Sequence, residues 1–204
     1  MSTAHGRAAV FLDRDGVLNE LVPDSVSGVP ESPLSVADVR LVPGAAAAAV
    51  RLAQLGFVLV CVSNQPAAAK GMVSVAQLHA VHNRVLELLC ARGVKLAASH
   101  LCMHHERGVV PELSGPCDCR KPAPGMLLNG ARELALDLDA SWMVGDTDAD
   151  IAAGKAAGCM TLLIRNPGSV HKRLQAVAPD LLADNLSDGV ARLTAQMSET
   201  VGVD

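Results

Sequence analysis

The amino-acid sequence predicts an α/β fold, a Rossmann-like three-layer sandwich in which helices cover both faces of a mostly parallel central sheet. Three observations lead there. Short apolar runs alternate with longer segments of helical period, the order expected of parallel strands joined by crossover helices. Half of the 204 residues are hydrophobic, yet Phe11, Phe57 and Trp142 are the only aromatic ones, so the core is aliphatic and suits strands buried on both faces. Carboxylates or hydroxyls directly follow several of the apolar runs, at the strand ends where open α/β sheets take their ligands.

Strands are expected at 8–12, 57–62, 96–102, 142–144, 160–164 and 181–183. A first helix enters at Pro43-Gly44, runs through the alanines 45–49 and Leu52, and leaves at Gly56. Proline fits a first turn, glycine an exit, and alanine has the best helix propensity. Ser74 is placed to cap a second helix, in which Leu78, Val81, Val85, Leu88 and Leu89 recur at helical spacing before Gly93. A third runs from Pro124 through Leu127, Leu128, Ala131 and Leu134, and a fourth from Asp148 to the stop at Gly158. Residues 21–42, carrying Pro23, Gly28, Pro30 and Pro33, read as a long surface loop of the kind that is functional or disordered. The tail from Ser198 is expected to fray. With no repeat or linker, residues 1–204 are expected to form one domain.

A net charge of -4, without a Lys/Arg run or an aromatic stacking platform, argues against nucleic acid as a partner. No apolar stretch approaches the roughly 20 residues of a membrane span, and the start MSTAHGRAAV lacks a signal core, so a cytoplasmic monomer away from membranes is expected. Of the six cysteines, Cys61, Cys90 and Cys159 lie in apolar surroundings and read as small buried hydrophobes. The other three share one segment with histidine, which in a reducing compartment favours metal over disulfides.

The chemistry starts at Phe11-Leu-Asp13-Arg14-Asp15-Gly-Val-Leu-Asn19. A carboxylate nucleophile can split a phosphate ester through an acyl phosphate, and Asp13 is placed for that attack. Asp15, two residues on and on the same side of an extended chain, can protonate the departing alkoxide and later activate water. Two carboxylates beside a phosphate dianion need a cation, and an oxygen-rich site suits Mg²⁺, with Asp146 as the further carboxylate. Ser63 can donate to the phosphoryl oxygens, and Lys121 can meet the charge of the transition state. Asp150, four residues after Asp146, is expected to orient Lys121 or a metal-bound water.

This motif set, spread over residues 8–164, resembles the phosphatases of the haloacid-dehalogenase superfamily. The resemblance implies an aspartyl-phosphate mechanism, with Mg²⁺ bound by Asp13, Asp146 and the backbone carbonyl of Asp15. No insertion is long enough for a folded cap, as in the capless members, so substrate recognition falls to loops.

A second cluster lies at 102–119, where Cys102, His104, Cys117 and Cys119 match a closed tetrahedral zinc site with no open position, which makes the zinc structural. His105 is an alternative imidazole. Cys119 runs directly into Arg120-Lys121, so this zinc-binding loop would fix the cationic pair. Together with Arg120-Lys-Pro-Ala-Pro-Gly-Met126, the cluster narrows the resemblance to the heptose bisphosphate phosphatases and the related histidinol-phosphate phosphatases.

The first implies a phosphorylated sugar substrate, the 7-phosphate of D-glycero-D-manno-heptose 1,7-bisphosphate; histidinol phosphate or another sugar phosphate is the alternative. Arg120 would grip the second phosphate, and Arg14, Asn64, Gln65 and Thr147 are expected at the substrate as well. The chain departs from the family pattern at Pro66, which has no amide hydrogen, at Thr147 in place of a lysine, and in the long segment after Asn19.

Overall fold

The computed structural model describes residues 6–25, 27–174 and 177–201. Six strands form one sheet in the order β5 (Ala98–Cys102), β4 (Val58–Asn64), β1 (Arg7–Leu12), β6 (Leu136–Gly145), β7 (Met160–Ile164) and β8 (Leu181–Ala183). Every pairing in it is parallel. The helices are α1 (Ala45–Gln54), α2 (Val75–Cys90), α3 (Gly125–Leu134), α4 (Asp148–Ala157) and α5 (Leu186–Val201).

β1 carries the alternation that splits the core into two layers. Val10 and Leu12 pack with Ala49 and Leu52 of α1, Val81 and Val85 of α2, and Val190 and Leu193 of α5. Ala9 and Phe11 point the other way, to Leu127 and Ala131 of α3 and Ala153 of α4. With Ala9 to Leu12 all 0% exposed, β1 is covered on both faces, as the absence of an amphipathic strand pattern there required.

The register brings the site together. Leu12 pairs with Cys61 on one side and Val144 on the other, so the residues that follow it emerge between the carboxyl ends of β4 and β6. The β1–β6 ladder is interrupted between Ala8 and Val10, where the Ser141 hydroxyl accepts the Ala9 amide hydrogen at 2.9 Å and so satisfies a buried donor the ladder would leave unpaired.

Several elements differ from expectation, besides one-residue shifts at the starts of β1 and β4. β4 extends through Ser63 and Asn64, and β5 starts at Ala98 rather than Leu96. β6 is ten residues long because α3 ends at Leu134 and a left-handed Ala135 turns the chain straight into it. The 21–42 segment is not a plain loop: β2 (Val22–Pro23) and β3 (Pro30–Glu31) form a small antiparallel hairpin, followed by a 3-10 turn at Val36–Asp38.

α5 was not anticipated, although Leu186, Val190 and Leu193 recur on one buried face. It carries the chain helically past Ser198, where fraying was expected, to Val201; residues 202–204 lie outside the described part. Cys61 and Cys159 are buried, but Cys90, the last residue of α2, is exposed because it faces away from the sheet. Among the described residues no helix is long and apolar enough to cross a membrane.

Gly154 marks the closest approach of α4 to the sheet. A Cβ there would stand 2.6 Å from Met143 Cβ and 2.7 Å from Thr161 Cγ2. Gly154→Ala is therefore expected to lower the unfolding free energy by about 1–3 kcal/mol through overpacking, against a helix-propensity gain of about 1 kcal/mol. A fall in the urea midpoint checks it.

Candidate active site

The carboxyl ends of β1, β4 and β6 meet in a cleft of about 290 Å³, lined among others by Asp13, Asp15, Ser63, Asn64, Arg120, Lys121, Asp146, Thr147 and Asp150. Asp13 follows β1 directly, and its amide donates to the Val144 carbonyl at 2.9 Å, which ties it to the neighbouring strand. Asp146 follows β6. Gly16, with a positive φ of 88°, leaves the space that Asp146 occupies: a Cβ there would lie 2.0 Å from Asp146 Oδ2.

Lys121 is 4% exposed and sits among acids. Its Nζ is 2.7 Å from Asp13 Oδ1 and 2.6 Å from Asp150 Oδ1, and it donates to the Val62 carbonyl at 2.8 Å. Asn64 fixes the lysine's backbone in both directions, donating to the Lys121 carbonyl at 2.9 Å and accepting its amide hydrogen at 3.1 Å. Burial opposes the ammonium charge, but Asp13 and Asp150 outweigh it and raise the lysine above its ordinary pKa. Asp150 also completes a capping box at the start of α4, where the Thr147 amide and hydroxyl donate to its Oδ2 at 3.0 and 2.6 Å.

The acids respond in opposite ways. Burial, with the charges of Asp150 and Asp15, raises Asp13 from 3.8 to about 7 despite Lys121. Asp146 is pushed well above its ordinary value by burial and then by Asp13 and Asp150. Asp15, equally buried, goes the other way, because the Arg14 guanidinium and hydrogen bonds from Asn19, Arg14 and Gln65 outweigh its desolvation. Those donors lie at 3.0–3.1 Å for Arg14, 2.8 Å for Asn19 and 2.5 Å for Gln65, and the Ser32 hydroxyl adds one more at 2.9 Å. Burial and the nearby guanidinium push His82 down to about 4, so this neighbour stays neutral at pH 7 and Asp15 is the counter-ion of Arg14.

Asp13, Asp146 and Asp150 offer carboxylate oxygens that all lie within 4.8 Å of one another. Asp146 Oδ1 is buried without a hydrogen-bond partner, while its Oδ2 takes the Ser169 hydroxyl. An orphaned carboxylate oxygen beside two further acids and one lysine is a site that a hard divalent cation fits, since oxygen donors and excess negative charge are what such an ion requires.

Behind this cleft, Cys102, His104, Cys117 and Cys119 also converge within 4.8 Å. Cys102 Sγ is 3.7 Å from Cys117 Sγ and 3.1 Å from Cys119 Sγ, and His104 Nδ1 lies 3.8 and 3.4 Å from the sulfurs of Cys102 and Cys119. Tetrahedral zinc with bonds near 2.3 Å to sulfur separates its thiolates by about 3.8 Å, close to these edges. Burial and the neighbouring sulfurs raise Cys119, whereas at Cys117 burial is outweighed by hydrogen bonds from Cys119 and the Arg120 backbone, which lower it. His105 stays outside: its Nδ1 accepts the Arg107 amide hydrogen at 3.1 Å.

Three expected substrate contacts are placed differently. Arg14 is 0% exposed with its guanidinium spent on Asp15, so it does not reach the cleft, because the strand end turns it into the core. Gln65, 1% exposed, is likewise turned to Asp15 and to Ser63 Oγ, at 2.9 Å. Thr147 lines the cleft, but its hydroxyl is engaged by Asp150. Asn64 and Arg120 also line the cleft, Asn64 with its amide engaged by the Lys121 backbone and Arg120 donating to the His104 carbonyl at 3.2 Å.

Sequence reasoning missed Ser32, Lys70, Ser169 and Lys172, which line the same cleft. Ser169, in the 3-10 turn Pro167–Lys172 after β7, could have been found by treating that strand end like the others. Ser32 and Lys70 sit in irregular backbone and carry no periodic signal.

The HAD-hydrolase-like family model matches residues 118–189. A D-glycero-β-D-manno-heptose-1,7-bisphosphate 7-phosphatase from Yersinia pestis is 36% identical over 180 residues, covering 88% of this chain and 92% of the relative. A D-glycero-D-manno-heptose-1,7-bisphosphate 7-phosphatase from Thermosynechococcus vestitus is 38% identical over 193 residues, covering 90% and 94%. Among solved structures, D,D-heptose 1,7-bisphosphate phosphatase from B. bronchiseptica, complexed with magnesium and phosphate, aligns with a TM-score of 0.76 at 29% identity, covering 93% of this chain and 99% of that one.

A raised Asp13 means that the folded protein holds its proton more tightly than the unfolded chain does. Without metal, the stability contribution of this acid falls as pH rises from about 4 to about 7, and the cost is complete above that. A cation competes with that proton, so the melting-temperature gain from Mg²⁺ over a chelator is expected to be larger near pH 8 than near pH 5. Paired thermal melts at the two pH values check it.

Proposed function

This chain belongs to the HAD-like hydrolases, in the family of the heptose-bisphosphate phosphatases, and from that premise we propose that it removes the 7-phosphate of a D-glycero-D-manno-heptose 1,7-bisphosphate. The observation that carries the reading is the meeting of Asp13, Ser63, Lys121 and Asp146 in one cleft that Lys70, Arg120 and Lys172 also line. Two phosphates call for cations at two depths. Lys121 lies beside the proposed nucleophile, and Lys70 and Arg120, neither in an ion pair among the described residues, supply the outer charge. Arg120 can take a phosphate bidentately.

An oxygen of Asp13 attacks phosphorus, and the bond from phosphorus to the sugar oxygen breaks. Asp15 gives its proton to that oxygen. That proton comes from solvent: Asp15 rests as a carboxylate in the free protein, and a phosphate dianion arriving beside it raises its proton affinity so that it takes one up as substrate binds. Lys121 and Ser63 stabilise the phosphoryl oxygens while Asp150 holds the lysine in line. In the second half, Asp15 removes a proton from water attacking the aspartyl phosphate, and inorganic phosphate leaves. Magnesium, held by Asp13, Asp146 and the Asp15 backbone carbonyl, would supply the positive charge that lets a dianion approach these carboxylates.

We assign zinc to Cys102, His104, Cys117 and Cys119, in a structural role: the clamp ends one residue before Arg120 and two before Lys121. The whole chain is read as one domain.

Asp13→Asn is expected to abolish phosphate release from heptose 1,7-bisphosphate with Mg²⁺ while folding, by circular dichroism, and metal content survive; retained turnover removes Asp13 as nucleophile. Wild-type protein that prefers histidinol phosphate over the bisphosphate in kcat/KM would overturn the Arg120 reading. Elemental analysis is expected to find one zinc per chain, lost in Cys119→Ser together with most of the turnover as Lys121 loosens.

A further inference from the structure

The hairpin formed by β2 and β3 reaches the catalytic cleft through two successive residues. Ser32, immediately after β3, donates its hydroxyl to Asp15 Oδ2 at 2.9 Å. The other donors to that carboxylate, Arg14, Asn19 and Gln65, are at most 1% exposed and approach from the core, whereas Ser32 is half-buried and lines the cleft itself.

The chemistry of these donors also differs. A guanidinium only donates, and Asn19 and Gln65 present their NH₂ ends. A hydroxyl can donate to a carboxylate and accept from a carboxylic acid, so Ser32 keeps its hydrogen bond whether or not Asp15 carries a proton.

Glu31, the neighbour of Ser32, is tied across the mouth of the cleft. Its Oε2 lies 2.6 Å from Lys172 Nζ and its Oε1 3.8 Å from His171 Nε2. Both residues belong to the Pro167–Lys172 turn, whose Ser169 hydroxyl is bonded to Asp146. One run of contacts therefore leads from Asp15 through the hairpin and the turn to Asp146.

We propose that Ser32 is a positioning residue for the proton delivered to the departing sugar oxygen, acting through Asp15, and that the Glu31–Lys172 ion pair holds the hairpin in place for it. This rests on the reading of Asp15 as the acid. An aryl ester such as p-nitrophenyl phosphate separates the two, because p-nitrophenolate leaves without needing a proton whereas a sugar alkoxide does not.

The experiment compares kcat/KM for the full-length protein with Mg²⁺ on heptose 1,7-bisphosphate and on p-nitrophenyl phosphate, in Ser32→Ala, Ser32→Thr, Glu31→Gln and Asp15→Asn. This ratio covers the steps up to departure of the alcohol and leaves out the aspartyl-phosphate hydrolysis common to both esters. Ser32→Ala is expected to lower kcat/KM on the sugar ester about five- to tenfold, with clearly less loss on the aryl ester. Ser32→Thr is expected to restore the ratio between the esters, and Glu31→Gln to shift it the same way as Ser32→Ala.

Equal losses of kcat/KM on both esters in Ser32→Ala overturn the proposal when Asp15→Asn still discriminates between the esters. An Asp15→Asn variant whose kcat/KM falls equally on both esters overturns the acid assignment beneath it. An unchanged ratio in Glu31→Gln removes the tether.

Discussion

Four carboxylates, those of Asp13, Asp15, Asp146 and Asp150, are buried together at the ends of two neighbouring strands, and the surrounding structure answers that crowding. Each buried charge must find a partner or give up its ionisation. Asp15 is matched by Arg14 from the core side, and Asp150 by Lys121 and the start of α4. Asp13 shares the lysine, and Asp146 is left with a hydroxyl on one oxygen and nothing on the other. The deficit is concentrated where a divalent ion and a phosphate can meet, so the unfavourable electrostatics of the empty cleft become affinity for ligand.

The fold was legible in the sequence wherever burial wrote a pattern. The aliphatic runs became the parallel strands, and Ser74, the alanine run and the glycine stops became helix boundaries, because those signals are local. α5 has an equally regular face, from Leu186 to Leu193, but Ser187-Asp188-Gly189 inside it are residues of low helix propensity that mask the period. The hairpin in 21–42 could not be read, since two-residue strands with proline in both carry no period.

In the cleft, the residues standing directly after strands were legible because parallel sheets place ligands there. Side-chain direction was not. Arg14 and Gln65 flank the expected catalytic groups in sequence, yet both turn inward to serve Asp15. The contact between Ser32 and Asp15 joins residues 17 positions apart, on either side of the small hairpin, and had no sequence signature at all.

Asn64 holds the peptide of Lys121 from both sides, and the cysteine cluster holds the chain just before it. The lysine's register against β4 is thereby set locally, independent of the path taken between His104 and Cys117. A change of length in that stretch would leave the ammonium in place, whereas a single residue gained or lost between Cys119 and Lys121 would carry it away from its acids.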